Sequence, residues 1–357
     1  MAKRQKLTTL QIEDLPNEMI VQVLCNLNIK DLTNCGMVSK RFRAIYRDES
    51  LWEKIRIFNK IVPMEFVQLV VNSGCKYLSL LHAKMVQGKS SEFQLAERSK
   101  LKYLQMTDFE SMLNESLDTL HYDIMEKILA SCYSLEKLSL KHVTLTPSMI
   151  KSICMQNGQT LQSFSLEDCK GTDIGCIKQI FEKCTKLEEL QLKFPHKSHA
   201  SAEKVLNHLA QNLPPKIEKL DLGGNYISDQ FLDTLIPRCT NLKSLALTYV
   251  KGISNRSVTT ITHYLKDSLE ELDLNVIPEF DSYVTLEKLK ELRSMSKLKI
   301  LICNHQFTVE EMMTLRKNVS QVKKVKSKWL LNIAHPERGF WLNNTKELKM
   351  FKENWNL

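Results

Sequence analysis

Residues Leu161 to Leu192 read LQSFSLEDCKGTDIGCIKQIFEKCTKLEELQL, and the period inside this stretch decides the fold. It opens with apolar residues at Leu161, Phe164 and Leu166, passes a polar turn, and enters an amphipathic run with Ile174, Ile177, Ile180 and Phe181. At Leu187, Leu190 and Leu192 the opening pattern returns, 26 residues later. Spacings of three and two cannot lie on one helical face throughout. They fit a short strand with a bent entry, followed by a helix that returns to the start. A unit this small cannot bury its apolar face alone, so neighbours are expected above and below it.

Those neighbours are in the chain. The frame LxxLxL, with other apolar residues allowed, starts at Cys75, Leu101, Leu135, Leu161, Leu187, Ile217, Leu242, Leu269 and Leu298, at spacings of 26, 34, 26, 26, 30, 25, 27 and 29. A degenerate further frame starts at Val322 with Val325. One such triplet arises by chance; a series this regular does not. Helix start signals lie between the frames. Thr146-Pro147 precedes Met149, Ile150 and Ile153; Ser228 precedes Phe231, Leu232 and Leu235; Thr308 and Glu311 have capping-box spacing ahead of Met312 and Leu315. The long gap before Leu135 holds Leu117, Leu120, Ile124, Ile128 and Leu129, enough for an extended helix and a loop.

Composition bounds the function classes. The chain of 357 residues is 43% hydrophobic and 25% charged, ordinary for a folded protein. Residues 1–10 lack an apolar segment, so no secretory signal is expected, and no run approaches the roughly 18 apolar residues of a membrane span. A cytoplasmic or nuclear location follows as the expectation. There the ten cysteines read as small buried hydrophobes, because no CxxC pair occurs and Cys169, Cys176 and Cys184 lack a fourth ligand at zinc-like spacing. No metal and no cofactor are expected. The net charge of +9 sits at the ends: +4 in residues 1–60, +7 in residues 315–357, and −2 between them. A protein that wrapped nucleic acid along its length would be basic in the middle too.

The N-terminal part has a different grammar. Leu15-Pro16-Asn17-Glu18 leads into Ile20, Val23, Leu24 and Leu27, one helical face. Asp31 opens a second helix with Leu32, Cys35 and Val38 inward, and Ser39 caps a third over Lys40–Arg47 that buries Phe42 and Ile45. Leu51 and Trp52 close the segment. Three helices in about 40 residues make a small core, which must be completed against a partner or the following repeats. By periodicity alone the segment is either a separate head or the N-terminal cap of the stack.

The ordered series Leu15-Pro16-x-Glu18, Val23-Leu24, Leu27, Asp31-Leu32, Val38-Ser39-Lys40-Arg41-Phe42-Arg43 and Leu51-Trp52 resembles an F-box. Met19 stands where that family usually has leucine, and Gly36 lies inside the second helix at a cost of about 1 kcal/mol against alanine. The resemblance implies binding to the Skp adaptor of a cullin–RING ubiquitin ligase. Leu15, Pro16, Ile20, Leu24, Leu32 and Val38 would supply much of the apolar contact, while Trp52 would serve either the interface or the head's own core.

The frames resemble leucine-rich repeats, and Cys132, Cys184 and Cys239, each three residues before the first leucine of a frame, are similar to the cysteine-containing subclass often found behind an F-box. The Asn/Cys position that ties the turn to the backbone in that family is filled by Cys169 and Asn225; Phe109, Val143, Pro195, Val250 and Ile277 occupy it elsewhere. The fold expected is α/β: a small three-helix head, then a curved solenoid with parallel strands on the concave face and helices on the convex face. Its parts would be a lead-in at 1–12, the F-box at 13–54, a rigid helical connector at 55–74, about nine or ten repeats at 75–326 and a tail at 327–357.

The residues flanking the buried leucines point to the concave face, and Tyr103, Lys137, Ser163, Glu189, Lys219 and Glu271 are the candidates there for target contact. Their mixed chemistry, with no dominant sign, suits a protein surface more than phosphate. Ile300 and Ile302 would make an apolar patch. The tail, with Trp329, Phe340, Trp341 and Trp355, covers that patch as a cap, or the patch is a target pocket. Lys323-Lys324-Val325-Lys326 is the solvated face of the last repeat or a weak nuclear-import signal.

No phosphate loop, HExxH, nucleophile elbow or catalytic-cysteine context is present, so the chain reads as a non-catalytic binding protein. The function expected is substrate recognition in an SCF-type ubiquitin ligase. The Skp adaptor would be held by the head, with cullin and RING subunits reached through it, and an unknown protein target by the solenoid. The alternative is a non-degradative scaffold or inhibitor of partner proteins.

Overall fold

The computed structural model describes residues 11–86, 93–107, 119–195, 199–275, 283–303, 307 and 309–327. The expectations for Phe109, Ile277, Thr308 and the tail beyond residue 327 fall outside them.

The head has helices at Asn17–Leu24, Ile29–Val38, Lys40–Ile45 and Glu49–Trp52. Pro16 is the cap residue of the first rather than part of its first turn. The second starts two residues before Asp31. Asn28 caps it by accepting the Asp31 N–H at 3.0 Å, and donates its own amide to the Asp31 carboxylate at 2.6 Å. Ser39 caps the third through the Phe42 N–H at 3.2 Å. Gly36 is where the second helix meets Tyr46: a Cβ there would lie 2.9 Å from the ring, so the propensity cost is exchanged for close packing.

Ile20, Leu24, Leu32, Phe42, Ile45, Leu51 and Trp52 form the head's core. Trp52 is fully buried. Its indole donates to the Tyr46 carbonyl at 2.6 Å, and its ring meets Tyr46 at 4.9 Å and Phe66 at 6.1 Å, both edge-on. Phe66 belongs to the helix Met64–Asn72, outside the head. The apolar cluster therefore runs from head to solenoid without a break, and Lys100 adds an ion pair to Glu49 at 2.7 Å.

The connector corrects the sequence reading. Residues Lys54–Phe58 are not helical but a strand, with Ile55 and Ile57 buried and Lys54 and Arg56 half exposed. The period of two in KIRIF, with isoleucine at both inward positions, outweighs the helical run that follows. This strand begins the main sheet. A short strand Ile61–Pro63 pairs with Lys84–Val86 in a separate two-stranded sheet, and only then does the helix Met64–Asn72 begin.

The main sheet has eleven strands in chain order: Lys54–Phe58, Tyr77–Leu81, Tyr103–Thr107, Lys137–Lys141, Ser163–Glu167, Glu189–Lys193, Lys219–Asp221, Ser244–Ala246, Glu271–Leu274, Ile300–Cys303 and Lys324–Ser327. All neighbours are parallel. Each frame found in the sequence, including the degenerate one at Val322, has its strand two residues after its start. Helices return the chain between strands, among them Thr119–Ser131, Pro147–Asn157, Ile174–Lys183, His199–Asn212, Asp229–Leu235 and Asn255–Leu265. Thr146 and Ser228 cap theirs as the sequence indicates. Packed helices stand roughly 8–10 Å apart and strands about 4.8 Å, so stacking bends the array toward its sheet.

Two devices hold successive repeats in register. The Cys169 thiol donates to the Leu140 carbonyl at 3.3 Å; Asn225 donates to the Leu192 and Leu222 carbonyls at 2.7 and 2.8 Å and accepts the Phe194 N–H at 3.0 Å. Asn157, fully buried, does the same at a helix end, accepting from Leu135 N–H and donating to the Cys132 carbonyl, both at 2.9 Å. The second device is a left-handed residue one to three residues past a strand: Asn59, His82, His142, Asp168, Gly224 and Tyr249 have φ between 50° and 79°. The N–H of Asn59, His142, Asp168, Gly224 and Tyr249 still reaches a carbonyl of the next repeat, at 2.7–2.9 Å. Asn, Asp and Gly tolerate this conformation most readily, which suits them to the corner.

Candidate functional site

Two surfaces stand out, one on the head and one on the sheet. On the head, the helix Asn17–Leu24 is apolar on two sides. Ile20 and Leu24 point into the core, whereas Met19 and Val23, one turn apart, are exposed. At the end of the second helix Met37 and Val38 are 66% and 69% exposed, and Ile12 and Pro16 lie open before the first. Arg41 draws these pieces together. Its guanidinium donates to Asn17 Oδ1 at 3.0 Å, to the Leu15 carbonyl at 2.5 Å and to the Glu13 carbonyl, so the turn after Val38 sits beside Leu15–Asn17.

The adaptor candidates therefore divide. Pro16 and Val38 are exposed and Leu15 is half buried, while Ile20, Leu24, Leu32 and Trp52 are inside the head. Those four hold the shape of the surface rather than forming it. Val38 and Val23 are not inward, as their spacing indicates; both face out. Sequence reasoning missed Ile12, Met19, Val23 and Met37 as surface residues, although a second apolar pair at i, i+4 beside Ile20 and Leu24 was a legible signal.

On the sheet, the residues between the buried leucines form rows across the strands. The first runs Lys54, Tyr77, Tyr103, Lys137, Ser163, Glu189, Lys219, Ser244, Glu271 and Ile300. The second runs Arg56, Ser79, Gln105, Ser139, Ser165, Gln191, Asp221, Ala246, Asp273 and Ile302 in the same pairings. Tyr103, Lys137, Glu189, Lys219, Glu271, Ile300 and Ile302 are half exposed. Ser163 is not accessible: it is 1% exposed, a short side chain walled by its register partners Lys137 and Glu189. Ser165, equally sunken, donates to Gln191 Oε1 at 2.5 Å, and Gln191 donates to Asp221 at 3.0 Å.

Charge at the strand ends is knitted. Glu167 accepts from Lys141 and Lys193, both at 3.0 Å, and Lys193 also reaches Asp168 at 3.3 Å. Burial pushes the Glu167 carboxyl up, but the two ammonium groups outweigh it and hold it below the usual carboxylate range. Burial lowers Lys193, and Glu167 with Asp168 more than restore it, so it ends above its ordinary value. Burial pushes the Cys75, Cys132, Cys169, Cys176, Cys239 and Cys303 thiols up to about 12, so they stay protonated at neutral pH. Among the described residues no group of His, Cys, Asp and Glu could hold a metal ion, and no helix is long and apolar enough to cross a membrane.

The F-box-like family model matches residues 12–57. The chain carries an F-box-like domain. Behind this F-box lies a leucine-rich-repeat-like array of alternating parallel strands and helices. Among solved structures, the leucine-rich repeat-containing protein LegL7 from Legionella pneumophila is 14% identical with a TM-score of 0.42, over 64% of this chain and 74% of that one. The complex of Rad7 and Elc1 in yeast matches at 14% identity and a TM-score of 0.43, over 87% of this chain and 85% of that one.

Proposed function

We propose that the chain is a substrate-recognition subunit of an SCF-type cullin–RING ubiquitin ligase. In this reading the F-box docks the Skp adaptor and, through it, the cullin and RING subunits, while the solenoid holds a target protein. The supporting observation is the apolar exposure of the F-box: Ile12, Pro16, Met19, Val23, Met37 and Val38 are all exposed, and Arg41 ties the turn after Val38 to Leu15 and Asn17. Fully covering an exposed large apolar side chain contributes about 1.5–3 kcal/mol, and part of that is gained by a partner that covers those already half buried.

The mechanism is proximity. Two binding surfaces on one rigid body raise the effective concentration of a target lysine near activated ubiquitin. The continuous apolar cluster through Trp52 and Phe66 supplies the rigidity.

The test is co-purification with the Skp adaptor. The native chain should form a stoichiometric complex, and a Leu15→Ala/Pro16→Ala/Val38→Asp variant should lose it while melting at nearly the same temperature. Full adaptor binding by a folded variant would overturn the docking surface. A degradative role is read separately: blocking cullin conjugation or the proteasome should raise the level of a solenoid-bound protein. A level that does not change would leave the non-degradative scaffold as the better reading.

A further inference from the structure

An apolar cup of about 220 Å³ opens on the rim of the solenoid, past the C-terminal ends of the strands Glu189–Lys193 and Lys219–Asp221. Its floor is four buried side chains, Phe194, Leu206, Ile227 and Phe231. Ala202 and Leu206, one turn apart on the helix His199–Asn212, make one wall. Glu203 and Asn207 stand beside them as the lip, together with Tyr226 from the turn before the next helix. That turn is unlike its neighbours. The left-handed residue past the strand is His142, Asp168 or Tyr249 in other repeats but Gly224 here, so that part of the wall carries no side chain.

The walls are fixed before anything enters. Asn225 accepts the Phe194 N–H at 3.0 Å, and Ser228 caps its helix by accepting the Phe231 N–H at 3.2 Å. Tyr226 is 59% exposed, yet its ring lies against bare backbone: a Cβ on Gly252 would be 3.3 Å from it. A site ordered in advance loses little entropy on binding. Its polar lip, by contrast, is unspent. The Glu203 carboxylate, the Asn207 amide and the Tyr226 hydroxyl have no hydrogen-bond or ion-pair partner among the described residues.

We propose that this cup receives one aromatic side chain of a target protein, with a lysine or arginine beside it in that protein meeting Glu203. The proposal rests on the reading that the solenoid holds a target, and not on adaptor docking. Size selects the ring. An apolar cavity of about 150 Å³ admits benzene, whereas small-molecule sites run upward from roughly 300 Å³. A volume between the two suits a single ring carried on a chain. Charge selects its neighbour. Glu203 is the one charged side chain among the described residues that line the cup. Lys204 follows it on the helix but points roughly 100° away around the axis. A carboxylate at the lip of an apolar cup favours a cation next to the ring and repels an acidic neighbour.

The experiment is fluorine NMR of the full chain with three acetylated tetrapeptide amides, each holding para-fluorophenylalanine followed by arginine, glutamate or serine. The arginine peptide should broaden most, binding about three- to ten-fold tighter than the glutamate peptide, and the gap should narrow as salt rises. Glu203→Lys, at an exposed helix position, should reverse the order of the two charged peptides. Ala202→Leu fills the cup and should remove binding of all three. If that variant melts early, Tyr226→Ala serves, with a loss of about three- to ten-fold.

Equal binding of the arginine and glutamate peptides, binding that survives Ala202→Leu in a folded chain, or no broadening of any peptide would each overturn the proposal. So would a dimer in sedimentation that Tyr226→Ala turns into a monomer, because a second copy would then fill the cup. Adaptor co-purification on the same preparation separates the two readings. A chain that takes adaptor but shows no arginine preference sinks only the cup; one that takes the arginine peptide but not adaptor sinks only the docking of the F-box. A solenoid-bound protein still held by the folded Ala202→Leu chain sinks the cup and leaves target binding by the solenoid standing.

Discussion

The F-box and the solenoid solve opposite surface problems. On the F-box, apolar side chains point outward from helices whose other side is already a core. On the solenoid, the strands place apolar residues inward at every second position and turn charged and tyrosine side chains to the other face. An apolar surface gains from being covered whatever the salt; a charged face gains range, orientation and partner discrimination but loses strength as salt rises.

The largest expected effect comes where the two halves share structure. Trp52→Ala removes a fully buried ring from the junction and should cost about 3–5 kcal/mol in chemical denaturation. If the F-box and repeats were energetically separate, the loss would appear as a second, earlier transition instead of a shift of one. Next, Asn157→Ala leaves the Leu135 N–H and Cys132 carbonyl buried without their partner, and should cost about 1–3 kcal/mol while leaving adaptor binding at its native level. Met37→Asp/Val38→Asp should do the reverse, with stability within about 0.5 kcal/mol of native and adaptor co-purification lost.

The smallest effect is electrostatic. Glu167 is held below its unfolded value, so its contribution is complete above the ordinary carboxylate range and fades as pH falls through its folded value. Glu167→Gln should lower stability at pH 7 by about 1 kcal/mol and lower it less at pH 3, as read from urea midpoints at the two pH values.

Most of the solenoid was legible because its signal is repeated. A single LxxLxL triplet carries little, but regular recurrence marked every strand of the main sheet from Tyr77–Leu81 onward. The first strand escaped because KIRIF has no leucine frame and no preceding helix of its own kind; alternation alone identifies it, and alternation over five residues competes poorly with an apolar run such as Phe66, Leu69 and Val70. Asn157 escaped for another reason. It sits at a helix end rather than at the Asn/Cys turn position, and a buried asparagine looks like a surface one until its two backbone partners are in place.

The F-box surface was half legible. Which residues form that helix followed from periodicity, yet burial did not, because Ile20 and Met19 are both apolar and only the packing of Leu24 and Trp52 decides which side is inside. Ser163 shows the converse on the sheet. Its row is correct, but accessibility depends on the height of its neighbours, which period cannot report.

Trp52 and Phe66 carry a practical consequence for anyone cutting this protein apart. The sequence boundary near residue 54 looks like a modular joint, but the first strand and the helix Met64–Asn72 finish the F-box's interior. Grafted onto another carrier, residues 12–57 alone would expose one edge of Trp52 to water. A transplantable cassette must extend through Asn72, so the piece that can be moved intact is longer than the motif that marks it.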